Sequence, residues 1–163
     1  TRHTAVPGNF RLLLSDGTSI DVPPGSVDLV YSDQLMEHLH PDDAMEQLKN
    51  IATAIRPGGA YLCRTPNRLS GPHDVSGHFT DVAEGFHLRE YSLHELARML
   101  RDVGLARQRI LVGGLGHYVN WPLWSVLAFE SVLEALPRVV RRGIARSAAG
   151  RALLGVRLIG YKA

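Results

Sequence analysis

Acidic residues and histidines gather in one short stretch, "SDQLMEHLHPDDAMEQL", at residues 32–48. Asp33, Glu37, His38 and His40 follow the apolar run "VDLVY" and precede a pattern typical of a helix. Open α/β sheets bind ligands at the carboxyl ends of their strands, so these side chains lie where chemistry is expected. The residue types allow a catalytic acid/base cluster, a metal site or the rim of a cofactor pocket.

A second group of histidines and acids lies in a long loop at residues 66–91. Its members are His73, Asp74, His78, Asp81, Glu84 and His87. Loops of this length inside a compact domain are uncommon and often functional, and we expect this one to be a lid over a substrate. The metal alternative is weaker, because His38 and His40 are two residues apart and do not share a helix face. The sequence has no H-E-x-x-H motif and no zinc-type Cys/His spacing, so it predicts no metal site.

The composition is that of one globular domain. The chain has 163 residues, of which 45% are hydrophobic and 21% charged. A formal net charge of +2 is too small to indicate nucleic-acid binding. Cys63 is the only cysteine, which favours a reducing compartment. We expect a cytoplasmic protein, because the sequence shows no signal peptide and no apolar run near the roughly 20 residues that span a bilayer.

Hydrophobic periodicity predicts strands that alternate with helices. Turn and capping signals mark the helix ends: Pro41 in a first turn, a capping box at Ser92 and Glu95, and a stop at "PGG". The predicted strands are 10–15, 27–32, 60–65, 107–114 and 155–163, and the predicted helices are 41–59, 92–105 and 121–150, the last broken near Pro137. This order is typical of a doubly wound α/β sheet in one domain, residues 1–163.

Three longer segments follow one another over residues 10–115: "LLLSDGTSIDVPPGSVDLVYSDQLMEHL", "RPGGAYLCRTPN" and "FHLREYSLHELARMLRDVGL". No single piece is diagnostic. In this order and with these gaps, the segments resemble the class I S-adenosylmethionine-dependent methyltransferases. The resemblance implies a Rossmann-like doubly wound sheet of that type, with S-adenosylmethionine as the cofactor.

The resemblance also implies cofactor-binding residues. Asp16 and Gly17 match the acid–small pair after the third strand of that fold, where a carboxylate accepts a hydrogen bond from the adenine amino group. The residues by themselves also allow a plain turn. Ser32, Asp33 and Gln34 match the positions after the fourth strand, which meet the methionine end of the cofactor. The acidic stretch is then best interpreted as the rim of a cofactor pocket.

Two histidines are candidates for removing a proton from the methyl acceptor. His38 follows the pocket rim, and an imidazole can take a proton near neutral pH as the methyl group transfers. Capping or packing is the alternative role for His38. His87, in "HLREYS" with Tyr91, matches a recurring feature of the resembling proteins before their last large helix, and it is the second candidate base.

The glycine-rich turn after the first strand of that family, and the acid at the end of its second strand, have no match here. The first predicted strand of this chain corresponds to the third of the family. In a sheet ordered 3-2-1-4-5, strands three and four are not neighbours, and buried parallel strands need partners on both sides. We therefore expect that about 70–90 residues are absent on the N-terminal side, or that a second chain fills the gap. Residues 1–163 alone should then bind the cofactor poorly.

Residues 117–154 depart from the family, which often has a short hairpin between its last two strands. The segment is apolar and rich in arginine, and we expect a helical insertion or cap within the domain. Three roles are open: packed helices whose arginines face water, a cap over a large apolar substrate, or a patch for a membrane surface or a partner.

The leading functional hypothesis is methyl transfer from S-adenosylmethionine to an oxygen or nitrogen of a small-molecule acceptor. The alternative is a truncated or degenerate methyltransferase-like module without activity, acting through partner or membrane-surface contacts of the helices at 121–151. A nucleotide- or metal-using enzyme of another α/β family needs a phosphate loop or a ligand set, and neither is visible. We expect no nucleic-acid partner, and a homo-oligomer stays open.

Overall fold

The computed structural model describes residues 8–163 of the chain. These residues form the strands β1 (Val27–Asp33), β2 (Ile55–Thr65), β3 (Arg107–Gly114), β4 (His117–Trp121) and β5 (Val156–Tyr161). They also form the helices α1 (Pro41–Ala54), α2 (Leu93–Asp102), α3 (Leu123–Ala135), α4 (Arg138–Arg146) and α5 (Ala148–Leu154). Two short 3₁₀ turns cover Met36–His38 and Val75–His78.

The strands form one mixed sheet in the order β1-β2-β5-β3-β4. β1 and β2 are parallel, with Ser32 opposite Cys63 and Asp33 opposite Arg64. The remaining pairs are antiparallel, because β5 returns between β2 and β3 and β4 follows β3 through a hairpin. The two parallel strands end at the same edge of the sheet, so the residues that follow β1 and β2 meet there.

Helices α1 and α2 pack together on the sheet and form the main hydrophobic core with it. Pro41 occupies the first turn of α1, where its missing N–H is harmless, and His40 caps that helix by accepting from the Asp42 N–H. α2 begins with the predicted capping box, in which Ser92 and Glu95 each accept a backbone N–H of the other. The predicted Rossmann-like α/β class is confirmed.

The boundary between α1 and β2 differs from the prediction. The helix was expected to continue to residue 59, but it ends at Ala54, and Ile55 already pairs with Val27 of β1. Pro57 explains the early end, because a proline disfavours helical backbone at the residue before it. The "PGG" segment therefore lies inside an extended β2, where the Gly58 N–H donates to the Lys162 carbonyl and the Gly59 carbonyl accepts from the Lys162 N–H.

The strand expected at residues 10–15 is wrong. Within the described part of the chain this run pairs with no other strand, and Leu12 and Leu14 are 85% and 98% exposed. A short apolar run becomes a strand only where a neighbour accepts its backbone hydrogen bonds, and none lies beside it. β1 is consequently the edge strand of the sheet, with Leu29 and Tyr31 both more than half exposed.

The segment at residues 117–154 begins as a strand and continues as helices. β4 pairs with β3 through a turn at Leu115 and Gly116, in which Leu115 has a left-handed φ of 54°. The predicted break at Pro137 separates α3 from α4. α3, α4 and α5 share a small second core made of Leu69, Leu133, Ala145 and Leu154. No helix among the described residues is long and apolar enough to cross a membrane.

Candidate functional site

The carboxyl end of β1 presents the three residues predicted to meet the methionine part of a cofactor. Ser32 is buried, and its hydroxyl lies 2.6 Å from the hydroxyl of Tyr61 on β2. Burial raises the pKa of Tyr61 well above its ordinary value, so the pair stays uncharged. Asp33 forms an ion pair with Arg64, with 3.0 Å between Oδ2 and Nη1.

Gln34 turns the chain sharply at the end of β1. Its φ is 53°, in the left-handed region that costs a non-glycine residue about 1–3 kcal/mol. The backbone N–H of Gln34 donates to the carbonyl of Arg64 at 2.9 Å, which holds this conformation against β2. The turn leads directly into the 3₁₀ turn at Met36–His38, so the strained residue sets the direction of the next side chains.

Asp16 and Gly17 lie in an ordered turn beside this edge. Asp16 Oδ1 accepts hydrogen bonds from the backbone and side chains of Ser19 and Thr18, and these bonds hold the pKa of Asp16 well below its usual range. The Gly17 carbonyl accepts from Gln47 of α1 at 2.7 Å. A Cβ on Gly17 would lie 3.3 Å from Leu39, which places the turn against the chain that follows β1. The turn thus lies beside the segment that directly follows Ser32, Asp33 and Gln34 in the chain.

Glu37, His38 and His87 form the second part of the site, which we call the Glu37 cluster. The rings of His38 and His87 contact each other edge to face, with centroids 5.0 Å apart and planes at 78°. One nitrogen of each imidazole and one carboxylate oxygen of Glu37 lie within 4.8 Å of one another. Glu37 is fully buried, His87 is nearly so and His38 is exposed, so the cluster opens to solvent on the His38 side.

Backbone hydrogen bonds bring His87 to His38 across 49 positions of the sequence. The N–H groups of Leu88 and Arg89 donate to the carbonyl of Glu37 at 2.7 and 3.2 Å, which fastens the end of the long loop to the 3₁₀ turn. The sequence predicted both histidines as candidate bases, and the structure places them in one cluster. Their catalytic role stays a prediction.

A hydrogen-bond acceptor orients each imidazole. Nδ1 of His38 donates to the Phe86 carbonyl at 2.9 Å, and Nδ1 of His87 donates to Glu90 Oε1 at 2.8 Å. Because these acceptors carry no hydrogen, the proton of a neutral ring lies on Nδ1 and Nε2 keeps a lone pair. Glu90 also accepts from His73. Burial raises the pKa of Glu90, the bonds from His73 and His87 lower it, and the net shift is downward.

Sequence reasoning did not assign roles to Glu90 or Thr65. Glu90 follows His87 by three residues, a spacing that could have suggested a hydrogen-bonded pair. Thr65 ends β2 and donates its hydroxyl to Glu37 Oε2 at 2.7 Å, a contact that the topology alone creates. The other histidines and acids of the long loop lie outside the Glu37 cluster. Asp74, for example, accepts from the N–H groups of Gly85 and His87 and so shapes the loop before His87.

Comparison with known proteins gives the family. A family model described as a methyltransferase domain matches residues 4–108. The chain belongs to this family. A protein of Mycolicibacterium smegmatis named a probable S-adenosylmethionine-dependent methyltransferase is 34% identical over 85 residues, which are 52% of this chain and 31% of the relative. Its counterpart in Mycobacterium tuberculosis is 33% identical over 85 residues, 52% of this chain and 29% of the relative. The chain thus spans about three tenths of the length of these relatives.

Solved structures agree on the fold. A S-adenosylmethionine-dependent methyltransferase from Thermotoga maritima superposes with a TM-score of 0.61 at 13% identity, covering 93% of this chain and 63% of that one. Another from Archaeoglobus fulgidus gives a TM-score of 0.55 at 16% identity, with 96% and 69% coverage. The resemblance drawn from the sequence is therefore confirmed, and S-adenosylmethionine is the cofactor in the names of these relatives.

Proposed function

We propose that the protein containing this chain transfers a methyl group from S-adenosylmethionine to an oxygen or nitrogen of a small-molecule acceptor. One observation carries the proposal: two oriented imidazoles, each with a free Nε2 lone pair, contact each other at His38 and His87, and His38 lies just after the strand edge that the family resemblance assigns to the cofactor. Methyl transfer needs this combination, because the protein contributes mainly the alignment of donor and acceptor and the removal of one proton.

The residues at the edge of the sheet fit the proposed cofactor. Asp16 keeps a low pKa and is therefore a carboxylate at neutral pH, and its exposed side chain can accept from an adenine amino group while Oδ1 holds the turn. Gly17 beside it has a positive φ of 98°, which suits glycine. Ser32, Asp33 and Gln34 would meet the methionine end. The assignment of all five residues is part of the proposal.

His87 is the better candidate for the proton acceptor. Glu90 fixes the tautomer of His87 and would stabilise the imidazolium that forms, a role that carboxylates play beside histidine bases in other enzymes. His38 is oriented only by a neutral carbonyl and is exposed, which suits contact with the incoming acceptor. The bound cofactor would supply the electrophilic methyl group, and an imidazole would hold the proton at Nε2.

Isothermal titration with S-adenosylhomocysteine tests this proposal. The titration should be carried out with residues 1–163 and with a longer natural chain that contains them. We expect binding by the longer chain and weak or no binding by residues 1–163, because β1 is an edge strand of the sheet formed by residues 8–163. Asp16→Asn, which keeps Oδ1 as an acceptor, should weaken binding several-fold, whereas the exposed control Asp21→Asn should not. If neither chain binds S-adenosylhomocysteine, the proposal fails.

A binding module without activity is the second candidate. The observation that favours it is the exposure of apolar side chains on two of the helices in residues 117–154: Trp124 of α3 is 74% exposed and Val139 of α4 is 85% exposed. α4 also carries four arginines, a composition that would suit an acidic partner or membrane. Sedimentation with anionic vesicles, compared between the wild type and Trp124→Ser, distinguishes this candidate from the enzyme.

A further inference from the structure

Glu37 presents a buried carboxylate oxygen without a partner. Glu37 is fully buried. Its Oε2 accepts a hydrogen bond from the Thr65 hydroxyl, and its Oε1 has no hydrogen-bond partner within residues 8–163. An unsatisfied buried polar atom costs about 1–3 kcal/mol, and more when it carries charge. Such an atom in a folded protein calls for an explanation, and a bound ion is one of the usual ones.

The two histidines beside Glu37 are held in the way that metal ligands are held. A histidine that binds a metal through one ring nitrogen almost always donates its other N–H to a carboxylate or a backbone carbonyl. His38 donates to the Phe86 carbonyl, and His87 donates to the buried carboxylate of Glu90. Both rings therefore keep Nε2 available, and each uses one of the two common types of anchor.

We propose that Glu37, His38 and His87 bind one divalent transition-metal ion of the zinc type. Two imidazole nitrogens and one carboxylate oxygen form a donor set found in zinc enzymes and in iron(II) sites, where one or more positions stay open. Magnesium and calcium prefer all-oxygen sites and do not suit two imidazoles. The open position would lie on the exposed His38 side, where an acceptor can enter.

The geometry requires only a small adjustment. Donor atoms about 2.1 Å from one ion lie roughly 3.4 Å from each other in a tetrahedral site. The three side chains offer donor atoms within 4.8 Å of one another. Glu37 and His87 are buried and anchored, whereas His38 is exposed. A rotation of the His38 side chain that moves its ring nitrogen by about an ångström can therefore close the site.

The chemical consequence of this site rests on the proposed function. A zinc-type ion lowers the pKa of an oxygen that binds it. With the ion present, His38 and His87 would serve as ligands, and an acceptor hydroxyl on the open position would release its proton to solvent water on the exposed His38 side instead of to an imidazole. The preferred acceptor would then be a hydroxyl compound. Ion binding itself does not depend on S-adenosylmethionine and can be measured separately.

The test is titration of residues 1–163, freed of metal with a chelator, with Zn²⁺ by calorimetry and with Co²⁺ by visible absorption. We expect one ion per chain. His87→Gln and His38→Gln should each weaken Zn²⁺ binding at least tenfold, and Glu90→Gln, which changes the acceptor that anchors His87 and also binds His73, should weaken it about 10–100-fold. His78→Gln removes an exposed imidazole outside the cluster and should leave the affinity unchanged.

Two results would overturn the proposal. The first is an equal loss of Zn²⁺ affinity in His78→Gln and His38→Gln, which would mean general surface binding. The second is the absence of one-to-one binding by the wild type with a normal circular dichroism spectrum. His38 is exposed, so His38→Gln should fold even if the buried variants do not. The outcome of the S-adenosylhomocysteine titration changes neither result, so the two proposals can fail separately.

Discussion

Glu130 of α3 should be one of the most important single side chains for stability. It is fully buried, and its carboxylate accepts four hydrogen bonds: from the Asn67 side chain at 2.8 Å, from the Leu93 and His94 N–H groups at 2.8 and 2.9 Å, and from His94 Nδ1 at 2.7 Å. It therefore caps α2 from another helix and holds the chain just after β2.

Glu130→Ala would leave these donors without an acceptor. Leaving a buried donor without an acceptor typically costs about 1–3 kcal/mol, and the two N–H groups at the start of α2 have no intrahelical partner to replace the carboxylate. We expect the free energy of unfolding to fall by that amount. Glu134→Ala, one turn later on α3, removes an exposed ion pair with Arg68 and should cost no more than about 1 kcal/mol.

Urea unfolding followed by tryptophan fluorescence and by circular dichroism measures both variants. Trp121 ends β4 and Trp124 lies in the first turn of α3, so both report on residues 117–154, whereas circular dichroism reports on the whole chain. Similar losses in the two variants would refute the argument that Glu130 is an internal cap. A loss seen only in the fluorescence would mean that the inserted helices unfold separately from the sheet.

Three further predictions use other parts of the chain. The pKa of Glu90 is lower in the folded chain than in the unfolded chain. The ionised carboxylate therefore stabilises the fold above the unfolded-state pKa, and this stabilisation is lost as the pH falls through the folded-state pKa. Urea unfolding measured over a range of acidic pH values should show this loss in the wild type and less of it in Glu90→Gln. Ser92→Ala removes the N-cap of α2 and should lower the free energy of unfolding by about 1 kcal/mol, measured by urea denaturation. Burial raises the pKa of the Cys63 thiol to about 11, so a disulfide reagent at pH 8 should modify it only after unfolding, and fast reaction of the native chain would contradict its burial.

Local signals predicted the parts of the fold that depend on neighbours in sequence. The capping box at Ser92 and Glu95 and the break at Pro137 appear where the residues placed them, because each acts within one helical turn. The strand at 10–15 failed for the opposite reason, since strand formation depends on a partner that local sequence does not specify. The end of α1 was misplaced because Pro57 disfavours helical backbone before it, and Ile55 pairs with Val27 of β1 instead of continuing the helix.

Only part of the candidate site could be predicted from the sequence. The resemblance supplied the order of motifs, and so the edge at Ser32, Asp33 and Gln34. It named His38 and His87 as rivals for one role, because nothing in the sequence says that they touch. Their contact arises from two N–H groups that donate to the Glu37 carbonyl and from the acceptors that orient the rings, and these are tertiary contacts.

The long loop at residues 66–91 contacts both the helices α3 and α4 and the candidate site. The start of the loop is held by α3, where Glu130 accepts from Asn67. Its middle is held by α4, where Asp81 forms ion pairs with Arg138 and Arg142.

The end of the loop is held by the Glu37 carbonyl, next to His87. A segment fastened at three points loses little further entropy when a ligand binds, so it positions His87 before the ligand arrives. The contacts of residues 117–154 with the loop would thus bear on the proposed chemistry as well as on packing. Changes in α4 that break the ion pairs of Asp81 should loosen the loop. We expect them to disturb the position of His87, although His87 is far from α4 in the sequence.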